Sequence, residues 1–193
     1  MKAHTKPRLL FFHAEPWRSN VRRIRYAVAT SLDGFIAGPR GEADWITIDP
    51  DIDFNSIIAE FDTILVGSRT YTGMAADGRP GKLFNMRTFV FSRTLQQRDY
   101  PEVTVLPDTS ADLLSALRKE AGKDIWLFGG GLLFRSLLEA GLVDTVEVAV
   151  IPILLGNGIP LFPAPAKSAS LRLTGHRLYP KTGTVSLEYA VVK

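Results

Sequence analysis

Cysteine is absent from this chain of 193 residues. Its absence excludes disulfides, thiol nucleophiles, iron–sulfur clusters and cysteine-ligated zinc sites. Histidine is scarce as well, since only His4, His13 and His176 occur, and none of them belongs to an HExxH spacing. Because a histidine metal site needs such ligands close together, we predict that the protein binds no metal.

Long apolar runs are also missing. The run Leu9–Phe12 is too short for the core of a signal peptide and far too short to cross a bilayer. An apolar fraction of 46% and a charged fraction of 22% are typical of a soluble globular protein, and 193 residues suffice for one sizeable core. We therefore expect a cytoplasmic protein with no membrane partner.

The N-terminal stretch is basic within a chain of net charge +3. Its cations include Lys2, Lys6, Arg8, Arg18 and Arg22. A basic arm can bind nucleic acid, but these charges are sparse, and a solvated tail is the favoured interpretation. We accordingly divide the chain into a flexible extension over residues 1–22 and one domain over residues 23–193, and we expect no nucleic-acid partner.

Strand and helix patterns alternate through the middle of the chain. The predicted strands cover residues 25–30, 62–67, 88–92, 103–106 and 124–128. Four helices are predicted. The first begins near Asp51 or Asp53 and ends at Glu60, with Phe54, Ile57, Ile58 and Phe61 facing inward, and the second begins at Ser68. The other two cover residues 110–121 and 131–140. Beyond Val143 only strands follow, at 143–151, 170–179 and 184–192. This order predicts an α/β fold with a mostly parallel central sheet, helices on both faces and an antiparallel C-terminal hairpin.

Two of the strand-to-helix junctions contain glycine. The first junction consists of Gly67, Ser68, Arg69 and Thr70, and the second consists of Gly129, Gly130, Gly131 and Leu132. Such a junction points backbone N–H groups and the positive end of a helix at one spot, which suits a phosphate. Two junctions therefore predict a dinucleotide, and the guanidinium of Arg69 with the hydroxyl of Thr70 favours NADPH over NADH. The alternative is that the glycines only permit tight turns.

Residues 23–192 resemble the dihydrofolate reductase fold and, more closely, the reductase domain of riboflavin biosynthesis and its stand-alone relatives. Five segments in sequence order carry the resemblance: ATSLDGFIA at 29–37, DWIT at 44–47, DTILVGSRTY at 62–71, FGGG at 128–131 and IPILLGNG at 151–158. The resemblance implies that NADPH lies across the carboxyl ends of the sheet strands. It also implies a single-domain, NADPH-dependent reductase for a small heterocycle.

Residue roles follow from the same resemblance. The second junction would hold the diphosphate, and the first would hold the phosphates on the adenosine side. Ser92 and Arg93 would lie near the adenine ribose and its 2′-phosphate, while Thr30 would border the nicotinamide. The substrate would be lined by Asp33, Phe35, Ile36, Trp45 and Phe54, although Asp33 in an SLDG turn is also typical of a carboxylate that binds local backbone.

The proton donor and the substrate are the open parts of this interpretation. Dihydrofolate reductases place an acidic side chain at the start of the helix that follows the tryptophan, where this chain offers Asp51 and Asp53, both of which can instead cap that helix. The riboflavin-pathway reductases usually carry a lysine where this chain has Phe35 and a glutamate where it has Phe128. Since both polar residues serve a ribose-phosphate substrate, their replacement predicts a more apolar pocket.

The nearest named activity is that of 5-amino-6-(5-phosphoribosylamino)uracil reductase. The alternatives are a dihydrofolate or pterin reductase, or a nucleotide-binding module without turnover. Because the relatives often pair through their sheets, we also predict a homodimer that uses the strand at 143–151 and the loop after it.

Overall fold

The computed structural model describes residues 21–76, 81–107 and 111–193. Of the flexible extension predicted over residues 1–22, residues 1–20 lie outside the described residues. The strands are β1 (Ile24–Ser31), β2 (Phe35–Ala37), β3 (Phe61–Gly67), β4 (Arg87–Phe91), β5 (Thr104–Leu106), β6 (Asp124–Gly129), β7 (Thr145–Ile151), β8 (Ile159–Pro160), β9 (Leu171–Tyr179) and β10 (Thr184–Val191). The α-helices are α1 (Phe54–Ile58), α2 (Ser68–Ala76), α3 (Ala111–Lys119) and α4 (Gly131–Glu139).

Eight strands form one sheet in the order β5-β4-β3-β6-β1-β7-β10-β9. The strands from β5 to β7 in this order pair in parallel, whereas β10 pairs antiparallel with both β7 and β9. The predicted mostly parallel sheet with an antiparallel C-terminal hairpin is therefore confirmed. Within the described ranges, no helix is long and apolar enough to span a membrane.

Each face of the sheet has its own hydrophobic cluster, because successive side chains of a strand point to opposite faces. Leu65 and Leu127 belong to one cluster, which α3 and α4 cover with Leu117 and Leu137. The other cluster contains the neighbouring strand residues Ile64, Val66 and Trp126, with Tyr71 from α2 buried among them and Ile57 and Ile58 from α1 packed against it. Helices thus lie on both faces of the sheet, as predicted.

The first helix is shorter than predicted. Asp53 is its N-cap, and the helix ends at Ile58, because Phe61 is already part of β3, where its buried ring stacks on Trp126 with centroids 5.3 Å apart. The expectation that Phe54 faces inward was wrong, since its side chain is 43% exposed.

The boundary of the domain also differs from the prediction at one residue. Arg22, which the sequence analysis placed in the flexible extension, is buried in the structure. Its guanidinium pairs with Asp62 and donates to the hydroxyl of Thr63 at 2.7 Å. Residue 22 is therefore part of the fold.

Candidate active site

The two glycine junctions lie side by side at the carboxyl ends of β3 and β6. Val66 and Gly129 are register partners in this parallel pair. A Cβ placed on Gly67 would lie 3.6 Å from the carbonyl oxygen of Gly129 and 3.6 Å from the nitrogen of Gly130, and a Cβ placed on Gly130 would lie 3.5 Å from the hydroxyl of Thr70. The backbones of the two junctions are therefore in contact and form one continuous surface.

The N-terminus of α4 is open on this surface. Its N-cap is Gly130, which is extended (φ −79°, ψ −171°) and supplies no capping side chain. The N–H groups of the first turn thus receive no side-chain oxygen, and the positive end of the helix is not neutralised there. In this first turn Leu132 is 56% exposed, whereas Gly131 is buried against the loop that follows β8. An anion fits this geometry.

Glycine is required for a different physical reason at each position of the second junction where the structure requires it. Gly129 has φ +119°, a backbone conformation that side chains disfavour. A Cβ on Gly131 would lie only 2.5 Å from the carbonyl oxygen of Pro160, so this glycine is needed where the loop after β8 packs on α4. Gly130 is different, because a Cβ there would meet only ordinary contacts with Thr70 and Ile36. The tight-turn interpretation thus explains two of the glycines, and Gly130 is left as the one that a ligand would explain.

Two arginines accompany the junctions. Arg69 is exposed in the first turn of α2, and Arg93 is exposed just after β4. Within the described residues, neither guanidinium forms a hydrogen bond or an ion pair. A cation at the N-terminus of a helix opposes the positive end of the helix dipole, so the position of Arg69 favours the presence of an anion. Both side chains are available to bind phosphate.

The hydroxyl of Ser92 forms hydrogen bonds with backbone groups that are close in sequence. It is buried, and its Oγ accepts hydrogen bonds from the backbone N–H groups of Thr94 at 3.2 Å and Leu95 at 3.0 Å. The hydroxyl closes the turn that follows β4. This arrangement places Arg93, the next residue, at the surface of the turn.

Asp33 joins two loops at the same edge of the sheet. Its carboxylate accepts hydrogen bonds from the Ser31 hydroxyl at 2.6 Å and from the backbone N–H groups of Leu155 at 3.1 Å and Gly156 at 2.7 Å. These donors, the Ser31 hydroxyl first, lower the pKa of Asp33 to about 2. Both oxygens are therefore occupied by the protein, and Asp33 holds the loop 153–158 against the turn that follows β1.

Thr30, predicted to border the nicotinamide, and three residues predicted to border the substrate each have defined contacts. Thr30 is buried, with its hydroxyl 3.2 Å from the carbonyl oxygen of Phe35. Ile36 reaches the second junction, since its Cδ1 lies 4.0 Å from the position of a Cβ on Gly130. Phe35 packs against Gly158, and the half-buried Trp45 donates its indole N–H to the carbonyl of Glu42 at 3.1 Å. Ile36 is thus the member of this group that contacts the glycine surface directly.

Residues 22–184 match the model of the RibD C-terminal domain. The chain belongs to the RibD C-terminal domain family. The uncharacterized protein YyaP of Bacillus subtilis strain 168 is 34% identical over 179 residues, which amount to 87% of this chain and 94% of YyaP. The family membership confirms the resemblance that the five sequence segments indicated.

Solved structures confirm the fold. Acinetobacter baumannii RibD (form 2) superposes with a TM-score of 0.67 at 18% identity, over 90% of this chain and 59% of that one. Dihydrofolate reductase from Enterococcus faecalis, solved as a complex with NADP(H), gives a TM-score of 0.65 at 19% identity, over 89% of this chain and 97% of the reductase. This member of the RibD C-terminal domain family therefore has a dihydrofolate-reductase-like fold.

The two carboxylates predicted as proton donors have structural partners in this RibD-like domain. Asp53 caps α1, since its carboxylate accepts from the backbone N–H of Ser56 at 3.1 Å and from the Ser56 hydroxyl at 2.6 Å. These bonds lower the pKa of Asp53. Asp51 is exposed, and its Oδ1 pairs with Nζ of Lys181 at 2.7 Å. Asp53 thus stands at the start of α1, whereas Asp51 lies two residues before this N-cap and pairs with a residue distant in sequence.

Asp49, which the sequence does not distinguish from its neighbours, is the buried carboxylate of this segment. It accepts from the backbone N–H of Asp51 at 2.9 Å and from the backbone N–H and hydroxyl of Thr182, both at 3.0 Å. Burial opposes ionisation, but these donors prevail and lower the pKa of Asp49. Asp49 therefore fastens the segment after Trp45 to the β9–β10 turn.

An aromatic strip on the α1/α2 face was not predicted. Trp126 lies at its centre, with ring centroids 5.3 Å from Phe61, 5.3 Å from Phe84 and 5.1 Å from Phe128. Trp126 and Phe128 are two residues apart on β6, so their sharing of a face could be read from the sequence. Phe84 comes from a loop before β4, and no local sequence pattern predicts that it packs on this strip.

Proposed function

We propose that this protein is an NADPH-dependent reductase that transfers hydride to a small heterocycle, in the manner of 5-amino-6-(5-phosphoribosylamino)uracil reductase. The observation that carries the proposal is the joining of the two glycine junctions into one surface, with the uncapped start of α4 on it and Gly130 left open toward Thr70. Membership of the RibD C-terminal domain family supports it, and so does the likeness in fold to a reductase complexed with NADP(H).

The residues present fit such a cofactor. The first-turn N–H groups of α4 would bind the diphosphate, and Arg69 with Thr70 would bind the phosphates on the adenosine side. Arg93 would pair with the 2′-phosphate. When bound, NADPH would supply a hydride to the carbon of a C=N or C=O bond, while a proton delivered by a side chain or by solvent adds to the nitrogen or oxygen, leaving NADP⁺. The protein contributes by positioning the two reactants and excluding water.

Proton delivery is the least defined role of the side chains. Asp53 uses both oxygens to cap α1, whereas Oδ2 of Asp51 accepts no hydrogen bond from the described residues. Of the two carboxylates, Asp51 is therefore the better proposed catalytic group, with its ion pair to Lys181 holding it beside the segment that Asp49 anchors.

Two other functions remain as alternatives. Reduction of a dihydrofolate or another pterin is favoured by Phe35 and Phe128, which provide apolar surface where the riboflavin-pathway reductases usually carry lysine and glutamate. A nucleotide-binding module without turnover is favoured by the structural use of Asp51 and Asp53. Turnover of NADPH with any added substrate would eliminate the second alternative.

A fluorescence titration with NADPH and, separately, with NADH tests the proposal. Trp45 and Trp126 supply the signal, and tight binding that prefers NADPH is the expected result. A substrate screen then follows, with oxidation of the cofactor as the readout. Absence of binding by either nucleotide would mean that both glycine junctions are turns only, and the reductase proposal would be withdrawn.

We also propose a homodimer, but through a different surface than the sequence predicted. β7 lies between β1 and β10 and has no free edge, so it cannot pair with a second chain. β9 is the last strand of the sheet, and its exposed apolar side chains include Leu171, Leu173 and Leu178. Light scattering should show a dimer for the wild type and a monomer for Leu173→Lys. A monomeric wild type would contradict this proposal.

A further inference from the structure

Tyr26 of β1 lies against the second glycine junction from the interior of the fold. The nearest atom to a Cβ placed on Gly129 would be Cε2 of Tyr26, at 3.7 Å. The ring also stacks on Phe134 of α4, with centroids 3.9 Å apart and planes 10° apart. The backbone N–H of Phe134 donates to the carbonyl of Gly130 at 3.1 Å, which is the first hydrogen bond of this helix. Tyr26 therefore touches both the strand end and the helix start that form the junction.

The hydroxyl of Tyr26 has no hydrogen-bond partner among the described residues. The side chain is 0% exposed, so bulk water does not reach it. Oη is two bonds away from Cε2, which keeps it close to the backbone at Gly129. Because burial raises the pKa of Tyr26, the hydroxyl stays protonated and is a donor at neutral pH. A buried donor without an acceptor is costly, and such a group in a folded protein calls for a physical explanation.

The side chains that pack with Tyr26 cannot supply the acceptor. Tyr26 belongs to the hydrophobic cluster that α3 and α4 cover, and the other buried members of this cluster are hydrocarbon side chains such as Leu65, Leu127 and Leu133. The acceptor must therefore be a backbone carbonyl or a ligand. The second junction is where the ring of Tyr26 meets backbone that lies beside the proposed anion site.

Tyr179 provides a comparison within the same chain. Its hydroxyl is also without a partner among the described residues, and its side chain is 1% exposed. Tyr179 is the last residue of β9, and the strands β1, β7 and β10 lie between β9 and β6. The cost of a buried, unpaired hydroxyl thus applies to both tyrosines, whereas contact with the glycine junction distinguishes Tyr26.

We infer that Tyr26 is a positioning residue of the anion site at the second junction: its hydroxyl, unpaired in the free chain, donates to a backbone carbonyl of residues 129–131 when a diphosphate occupies the junction. The inference rests on the proposed function for the kind of ligand, a dinucleotide. Glycine permits the small backbone shift that this pairing requires. Since the burial cost of the hydroxyl is then removed in the bound state only, the pairing strengthens binding.

Two matched substitutions test the inference. Tyr26→Phe removes the hydroxyl but keeps the ring that stacks on Phe134, and Tyr179→Phe is the control. Neither variant should have a lower midpoint of thermal unfolding without ligand, because each loses a buried, unpaired hydroxyl. In calorimetric titrations, Tyr26→Phe should bind NADPH about three- to tenfold more weakly, the usual value of one hydrogen bond. Tyr179→Phe should keep the affinity of the wild type.

Carbon-13 NMR of the full chain, labelled at Cζ of tyrosine, gives a readout that a purely structural role would not change. The chain contains five tyrosines, and each of the two variants assigns the resonance that it lacks. Saturation with NADPH or with inorganic pyrophosphate should shift the Tyr26 resonance, because a new hydrogen bond at Oη changes the electron density at Cζ. The Tyr179 resonance should stay in place.

Unchanged NADPH affinity in Tyr26→Phe, or an equal loss in both variants, would overturn the inference. A lower unfolding midpoint of Tyr26→Phe without ligand would do so too, because it would show that the hydroxyl is already paired in the free chain. If NADPH binds and the Tyr26 resonance does not move, the inference fails alone. If pyrophosphate shifts this resonance and NADPH does not bind, the role of Tyr26 stands and the reductase proposal fails. If neither probe binds, both fail.

Discussion

The amino ends and the carboxyl ends of the parallel strands, here called the amino edge and the carboxyl edge of the sheet, differ in how their charged side chains are paired. At the amino edge, charged side chains of the strands pair with one another, Arg23 with Asp124 and Arg25 with Glu147, and Arg118 of α3 pairs with Asp144 just before β7. At the carboxyl edge, β3 and β6 end in glycine, and the exposed Arg69 and Arg93 pair with none of the described residues. The charged side chains at the amino edge are thus paired within the protein, whereas two arginines at the carboxyl edge have no partner among the described residues. This difference favours the carboxyl edge for the ligand binding that we propose.

Arg25 is the centre of a buried ion network at the amino edge. Its side chain is only 1% exposed, yet it is a cation, held by Glu147, Glu60 and, at 3.2 Å, Asp124. Burial opposes its charge, but the carboxylates prevail and raise the pKa of Arg25 further. A buried ion network of this kind is strongly coupled, because removal of one member leaves the others charged and unpaired.

The largest expected effect is therefore on stability at the amino edge. Arg25→Ala should lower the free energy of unfolding by about 3–5 kcal/mol, since Glu147 and Glu60 lose their buried partner. Urea denaturation measures the change. Arg87→Ala is the control, because its ion pair with Glu120 is exposed on both sides, and exposed pairs contribute about 0–1 kcal/mol. Similar losses for both variants would show that the buried network has no special role.

The next largest effect is expected at the carboxyl edge, on nucleotide affinity and not on stability. Arg69→Ala should weaken NADPH by about 1.5–3 kcal/mol through loss of a charge-assisted contact and should weaken NADH far less. Because the side chain has no protein partner among the described residues, the free energy of unfolding should not change. Paired fluorescence titrations with both nucleotides measure the difference. Equal weakening of NADPH and NADH would place Arg69 away from the 2′-phosphate.

Two neighbouring glycines at the carboxyl edge, Gly130 and Gly131, are expected to affect stability and NADPH binding differently. Gly131→Ala should destabilise the fold by about 1–3 kcal/mol, because the new Cβ would collide with the backbone at Pro160. Gly130→Ala should leave thermal stability nearly unchanged but weaken NADPH binding, since its Cβ would occupy the ligand side of the junction. Thermal melts and NADPH titrations on both variants test this. Full NADPH affinity in Gly130→Ala would contradict a phosphate site there.

The smallest effect concerns pH. Burial, together with the negative charge of Glu147, raises the pKa of Glu188 to about 7. The folded state therefore binds this proton more tightly than the unfolded state, so the stability contributed by protonation is present below about pH 4.5 and is lost as the pH rises through about 7.

Glu188→Gln should remove this dependence and stabilise the protein by about 1–2 kcal/mol at pH 8, a value reduced for the partial burial of the group. Urea denaturation from pH 5 to pH 8 measures the slope. An unchanged slope in the variant would assign the pH dependence to other groups.

Local patterns predicted most of the fold. The strands β1, β3, β4, β6, β9 and β10 were each expected within one or two residues, because apolar periodicity and the glycines that follow are local signals. The start of α1 was harder, since Asp49, Asp51 and Asp53 all suit a helix start. Only the contacts of Asp49 with Thr182, distant in sequence, and of Asp53 with Ser56 separate their roles.

The sequence by itself determined the α/β class, the membership of the family and the two glycine junctions, because periodicity, turn chemistry and short motifs act over a few residues. Tertiary structure alone decided which of the three glycines has room for a side chain, that Asp33 clamps two loops, and that Phe84 lies on Trp126. The physical reason is distance along the chain. Each of these facts depends on a contact between segments that only the folded sheet brings together.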